Sequence, residues 1–267
     1  MKPFASFPNA LKGTIDYVLT DIDDTLSVAG RIPAAAFGAM QRLQNAGIRV
    51  VPITGRPAGG CDHIARRWPV EAVVGENGAF YFRYDETQKR MVRRYWRTDA
   101  QRREDRRKLE LLKESILREV PGSAVSADQV YREADLAIDY CEDIPPLSKP
   151  AVADIVRRFE AVGATAKPSS IHVNGWFGDY DKLSMTRRLF AEVFHQDLDA
   201  IRERVIFTGD SPNDVPMFAY FPNAVGVANV VDFESEMTSL PAWVTAGRGG
   251  HGFAEMVDGL LSCLNKL

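Results

Sequence analysis

The strongest constraint on how this chain folds is a repeated local pattern: a short, wholly apolar run stops abruptly at acidic or turn-forming residues, and a helix-length segment follows. Ile15 to Thr20 is such a run, and its unbroken apolar character suits a strand buried on both faces of a parallel sheet. Pro33 to Ala46 predicts a helix, with proline in the first turn, Phe37, Met40 and Leu43 on one face and Gly47 as its stop. A second buried strand, Ile48 to Ile53, a helix from Pro57 to Trp68 and a third strand, Val70 to Val74, complete a β-α-β-α-β unit before the turn Gly75-Glu76-Asn77-Gly78. That order predicts an α/β fold with a Rossmann-like parallel sheet, and such sheets bind ligands beyond the carboxyl ends of their strands.

The grammar then changes. Ala79 to Tyr84 and Met91 to Trp96 read as an antiparallel pair, Asp99 to Val120 as a long helix striped by Leu109, Leu112, Ile116 and Val120, and Ala134 to Tyr140 as a strand. Ser148 caps a helix running to Ala161, and a strand near Ile171 to Phe177 closes this section. The α/β rhythm returns from Asp181, with a helix to Phe194, strands at Val205 to Thr208, Ala224 to Val227 and Ala242 to Val244, and a last helix from His251 to Leu264. The expected organisation is therefore a core of residues 1–84 and 178–267 interrupted by an inserted α+β domain, residues 85–177.

Hydrophobic residues at 45% and charged residues at 26% permit a substantial core. A net charge of -3 gives no global attraction to nucleic acid. Arg102 to Lys108 mixes both signs and reads as a solvated helix face. No apolar run is long enough to span a bilayer, so no membrane association is expected, and Pro3 and Pro8 break up the N-terminus before a signal-like core develops. Cys61, Cys141 and Cys263, widely spaced and odd in number, read as reduced thiols of a cytoplasmic protein.

Three acids, Asp21, Asp23 and Asp24, crowd the end of the first strand. Crowded carboxylates repel, and a divalent cation such as Mg²⁺, which prefers hard oxygen ligands, would relieve that cost; a helix cap with a solvated turn is the plainer alternative. A second strand ends the same way, in Phe207-Thr208-Gly209-Asp210-Ser211-Pro212-Asn213-Asp214. Two such ends in one parallel sheet can converge on one ion. A hydroxyl and a cation for phosphoryl oxygens are available in Thr54 and Lys182, although alone the first could be a cap and the second a surface residue.

These four stretches resemble, in order, the four motifs of the haloacid dehalogenase-like hydrolases. The chain is most similar to the Cof-type and sugar-phosphatase branch, whose large α/β cap (C2, subclass IIB) follows the third core strand, and it shares Glu76-Asn77-Gly78-Ala79 before the cap and Met217 after the last motif. The resemblance implies a phosphatase acting on a small phosphate ester through an aspartyl-phosphate, with Asp21 as nucleophile and Asp23 as general acid/base. It further implies Mg²⁺ held by Asp21, the Asp23 carbonyl and Asp210, with Asp214 close by and Asn213 in support, while Thr54 and Lys182 meet the phosphoryl group. The chain departs from many relatives in following Lys182 with Leu183 rather than glycine. The resemblance therefore speaks to phosphate and not to the substrate.

Alternation along Ile171 to Trp176 sets His172, Asn174 and Trp176 on one face, suited to a polyhydroxylated ligand such as a sugar phosphate, or else simply filling the cap. Arg56 and Asn77 on core loops are further candidate substrate contacts, Arg56 being equally suited to a structural ion pair. A phosphomutase on the same scaffold, and a non-catalytic binding module, are the alternative functions. Oligomeric state is not encoded in any motif found.

Overall fold

The computed structural model describes residues 1–169 and 171–262. Cys263 and the end of the last expected helix, to Leu264, lie outside the described residues.

The N-terminal part runs β1 (Lys2–Pro3), α1 (Asn9–Lys12), β2 (Tyr17–Thr20), α2 (Ala34–Asn45), β3 (Arg49–Pro52), α3 (Ala58–Arg67) and β4 (Val73–Gly75). The C-terminal part follows the insertion with α6 (Lys182–Leu189), α7 (Leu198–Ile201), β11 (Val205–Gly209), α8 (Val215–Tyr220), β12 (Val225–Gly226), β13 (Trp243–Val244) and α9 (Gly249–Leu261). A six-stranded sheet of order β1-β13-β12-β11-β2-β3 unites them, every neighbouring pair parallel, and a parallel bridge from Ile53 to Val74 brings β4 alongside. One apolar layer on this sheet includes Val18, Val50, Met40 and Phe253, and the other includes Leu19, Val51, Phe207 and Leu189. Strand residues alternate between the two layers, which is why the central strands are apolar throughout. Phe37, expected on the buried face of α2, is exposed and edge-on to Trp68; Ala36 and Ala39 take the buried positions beside Met40 and Leu43.

Between these parts, β5 (Phe80–Asp85) and β6 (Arg90–Tyr95) form an antiparallel hairpin whose first strand also pairs with β4. Phe80, Phe82 and Tyr95 cluster against the core, so this hairpin extends the core although its second strand falls within residues 85–177. Next come α4 (Asp99–Glu119), with a Thr98–Gln101 capping box, β7 (Ala124–Val125), β8 (Asp135–Asp139), α5 (Lys149–Ala161), capped by Ser148, β9 (Thr165–Pro168) and β10 (His172–Trp176). Their four-stranded antiparallel sheet has order β7-β8-β10-β9. One face buries Leu136, Ile138 and Val173 against Leu112, Ile116, Ile155 and Phe159 of the helices; the opposite face turns toward the core. Strand β9 escaped the sequence reading because Thr165-Ala166-Lys167-Pro168 has neither apolar alternation nor a turn signal, a composition that only an edge strand tolerates. Among the described residues, no helix is long and apolar enough to cross a membrane.

Candidate active site

Strands β2 and β11 lie side by side in register, Thr20 opposite Thr208. The Asp21 amide donates to the Thr208 carbonyl at 2.9 Å, and the Thr208 hydroxyl donates to that of Thr20 at 2.8 Å. Two acidic turns thus leave one sheet edge together. Carboxylate oxygens of Asp21, Asp210 and Asp214, all buried, lie within 4.8 Å of one another.

Each acid is held in a different way. Asp214 Oδ2 accepts the Asp210 and Ser211 amides at 3.1 and 3.4 Å. A Cβ on Gly209 would lie 2.4 Å from that oxygen, so the close approach requires glycine. Asp210 accepts the Thr25 hydroxyl at 2.9 Å on one oxygen and the Asn229 side-chain amide at 3.1 Å on the other. Asn229 also donates to the Asp24 carbonyl and accepts the Gly249 amide, tying four segments together. Lys182 begins α6, N-capped by Asp181, and its ammonium donates to Asp21 at 3.1 Å and Asp214 at 2.8 Å.

One cation does not balance three buried carboxylates. Burial raises the Asp21 carboxyl to about 7, with Lys182 pulling it down and Asp214 and Asp23 pushing it up. Burial also drives Asp210 well above the carboxylate range, Asp214 and Asp21 adding to it. For Lys182, burial alone would lower the ammonium, but Asp21 and Asp214 more than offset it and hold it charged. The cluster therefore has an excess of negative charge in oxygen donors, the donor type of a hard divalent cation. The Asp23 carbonyl accepts no hydrogen bond from any described residue. Asp21, Asp210 and Asp214 fit Mg²⁺ as oxygen donors, Asp214 also holding Lys182 and the turn amides.

The Asp23 side chain stands apart from that cluster, gripped on both oxygens by the Arg56 guanidinium, whose Nε lies 3.0 and 2.9 Å from them. Arg56 is held charged because Asp23 outweighs the effect of burial. Thr54 is fully buried; its hydroxyl oxygen accepts the Arg56 amide, and its own proton is given to no described residue. Asn77 adopts a left-handed φ of 54° and lays its side chain against Gly55, while Asn213 accepts the Ser211 hydroxyl at 2.9 Å.

From the cap, His172 and Asn174 reach the same cavity as Asp21, Asp23 and Arg56. Asn174 donates to Asp135 at 3.1 Å. Trp176 is buried against Tyr180, stacked at 5.7 Å with its indole N–H on the Tyr180 carbonyl, and borders an adjoining cleft instead.

Two groups acquire their roles only in the fold, the sequence marking Glu76 merely as part of the stretch before the cap. Glu76 is fully buried with its backbone at φ 43°, and its carboxylate accepts four amides: Ala58 at the start of α3, then Glu133, Ala134 and Asp135 from the cap. Burial raises it to about 8, Asp135 adding to this and Arg132 with the amides opposing it. Beside it, buried Arg132 bonds Asp128, Asp135 and the Gly55 carbonyl. Thr25 and Asn229 were missed likewise, since only the folded chain reveals which carboxylate they touch.

Residues 18–135 match the family model of the haloacid dehalogenase-like hydrolases. That match covers just under half of the chain. Solved structures sharing the fold include a Thermoplasma acidophilum protein (17% identity, 92% of this chain and 98% of that one, TM-score 0.71). A haloacid dehalogenase-like hydrolase from Bacteroides thetaiotaomicron (16%, 91% and 98%, 0.64) is another. The sucrose-phosphatase of Synechocystis sp. PCC6803, solved with sucrose and phosphate (13%, 91% and 97%, 0.63), is a third. At such identities the likeness is one of fold. No curated protein matches this hydrolase by sequence.

Proposed function

We propose that this hydrolase is a Mg²⁺-dependent phosphomonoesterase acting on a small phosphorylated metabolite of the sugar-phosphate kind, with residues 85–177 supplying the cap that covers the site. The observation that carries the reading is the convergence of Asp21, Asp210 and Asp214 on one point with Lys182 bonded to two of them.

In this reading Asp21 attacks phosphorus, Asp23 protonates the departing alkoxide, and the aspartyl-phosphate formed on Asp21 is then hydrolysed by water that Asp23 deprotonates. Asp21, Asp210 and the Asp23 carbonyl would hold Mg²⁺, which supplies charge neutralisation for the phosphoryl oxygens. Lys182 draws the Asp21 carboxylate into one orientation and adds positive charge. The Thr54 hydroxyl is free to donate to a phosphoryl oxygen.

Assayed against a panel of phosphorylated metabolites, the protein should release inorganic phosphate with Mg²⁺, lose that activity in EDTA and regain it with excess Mg²⁺. Phosphate release undiminished by the chelator would sink the metal assignment. Asn229→Ala, which frees one oxygen of Asp210, should raise the Mg²⁺ concentration for half-activation by about 10- to 100-fold; an unaltered Mg²⁺ titration would remove Asn229 from the site.

A further inference from the structure

The cavity between the acidic turns and the cap has a volume of about 30 Å³, room for one or two waters. Its charges can be accounted for pair by pair. Arg56 is committed to Asp23, Arg132 to Asp128 and Asp135, and His172 lies 2.8 Å from Glu142, while Asp21 is met from behind by Lys182. Lys167 is the exception: its ammonium makes no hydrogen bond or ion pair with any described residue.

Its placement follows from strand register. Lys167 on β9 stands directly opposite Asn174 on β10, and directly opposed residues share a sheet face. His172, two residues from Asn174, is on that face too, and all three line the cavity together with Asp21 and Asp23. His172 is 3% exposed, and its Nε2, 2.8 Å from a Glu142 oxygen, lies outside hydrogen-bonding geometry with every described residue. The cap thus holds an exposed, uncommitted cation on the same face as a buried imidazole that meets Glu142, across from the residues that meet phosphate.

We infer that Lys167 is a specificity-determining residue that binds a carboxylate on the leaving group, so that the substrate is a small phosphorylated hydroxy acid. The inference rests on the phosphatase reading and deepens it. A single ammonium matches a monoanion. A second phosphate dianion would call for an arginine fork or two cations, and both arginines of the cavity are already engaged.

The matched esters are 3-phosphoglycerate and glycerol 3-phosphate, which differ by carboxylate against hydroxymethyl, with p-nitrophenyl phosphate as a generic ester, all in Mg²⁺. The wild-type protein should show kcat/KM at least about tenfold higher for 3-phosphoglycerate, the worth of one charge-assisted hydrogen bond. Lys167→Met should collapse that ratio toward one, chiefly through KM, and Lys167→Arg should retain most of it. A purely structural lysine would lower both esters equally and leave the ratio standing, which overturns the inference. So does a wild-type protein that cleaves p-nitrophenyl phosphate without preferring the carboxylated ester, or that prefers fructose 1,6-bisphosphate over fructose 6-phosphate instead. No hydrolysis of any ester overturns the phosphatase reading itself.

Discussion

Asp21→Asn should lower turnover of p-nitrophenyl phosphate by at least about 10⁴-fold, because the nucleophile's contribution cannot be shared out among the remaining groups. The same variant should be more stable than the wild type in EDTA at pH 8. A carboxyl raised to about 7 in the fold, against an ordinary 3.8, binds protons in the native state that the unfolded chain has released between those values. Its contribution is therefore complete below about pH 4 and declines as pH rises through 7. Asp210, also raised, acts in the same direction. Asparagine carries no such penalty, so the gap in Tm between variant and wild type should widen from pH 5 to pH 8 without metal. Saturating Mg²⁺ should reverse it, since the ion stabilises only the site that still has its carboxylates. A gap that narrows with pH in EDTA would contradict the crowding of charge inferred from the cluster.

The second large effect concerns no catalytic group. Glu76→Ala should destabilise the fold by at least about 3 kcal/mol, because it strands four buried amides on two sides of the molecule. Urea denaturation would register it as a lower midpoint with little change in slope. Glu76→Gln should recover part of the loss, since one oxygen still accepts while the new NH₂ group faces donors. A midpoint for Glu76→Ala within experimental error of the wild type would mean that those four amides find other partners.

What could be read from the sequence followed the range of the interactions involved. The buried strands, the helix capped at Ser148 and the acids at two strand ends are written in local pattern, and the structure places them as expected. The partners of those acids are not local: Asn229 meets Asp210, and Arg56 closes on Asp23 across 33 positions. Arg56 could be read from sequence as a substrate contact or a structural pair, and the fold spends it on Asp23. His172 and Asn174 share the face that alternation gave them, but the same alternation could not tell that Trp176 would be consumed by Tyr180. Lys167 was invisible because nothing in Thr165-Ala166-Lys167-Pro168 announces a strand, and without the strand it has no facing neighbour.

Glu76 also ties the cap to the core. Lifting residues 133–135 from Glu76 would unmake three hydrogen bonds to one sequestered carboxylate, whereas at the margin where β9 lies beside the Pro212–Asp214 turn no comparable bond joins the described residues. The edge that carries Lys167 is consequently the less tethered margin of the cap.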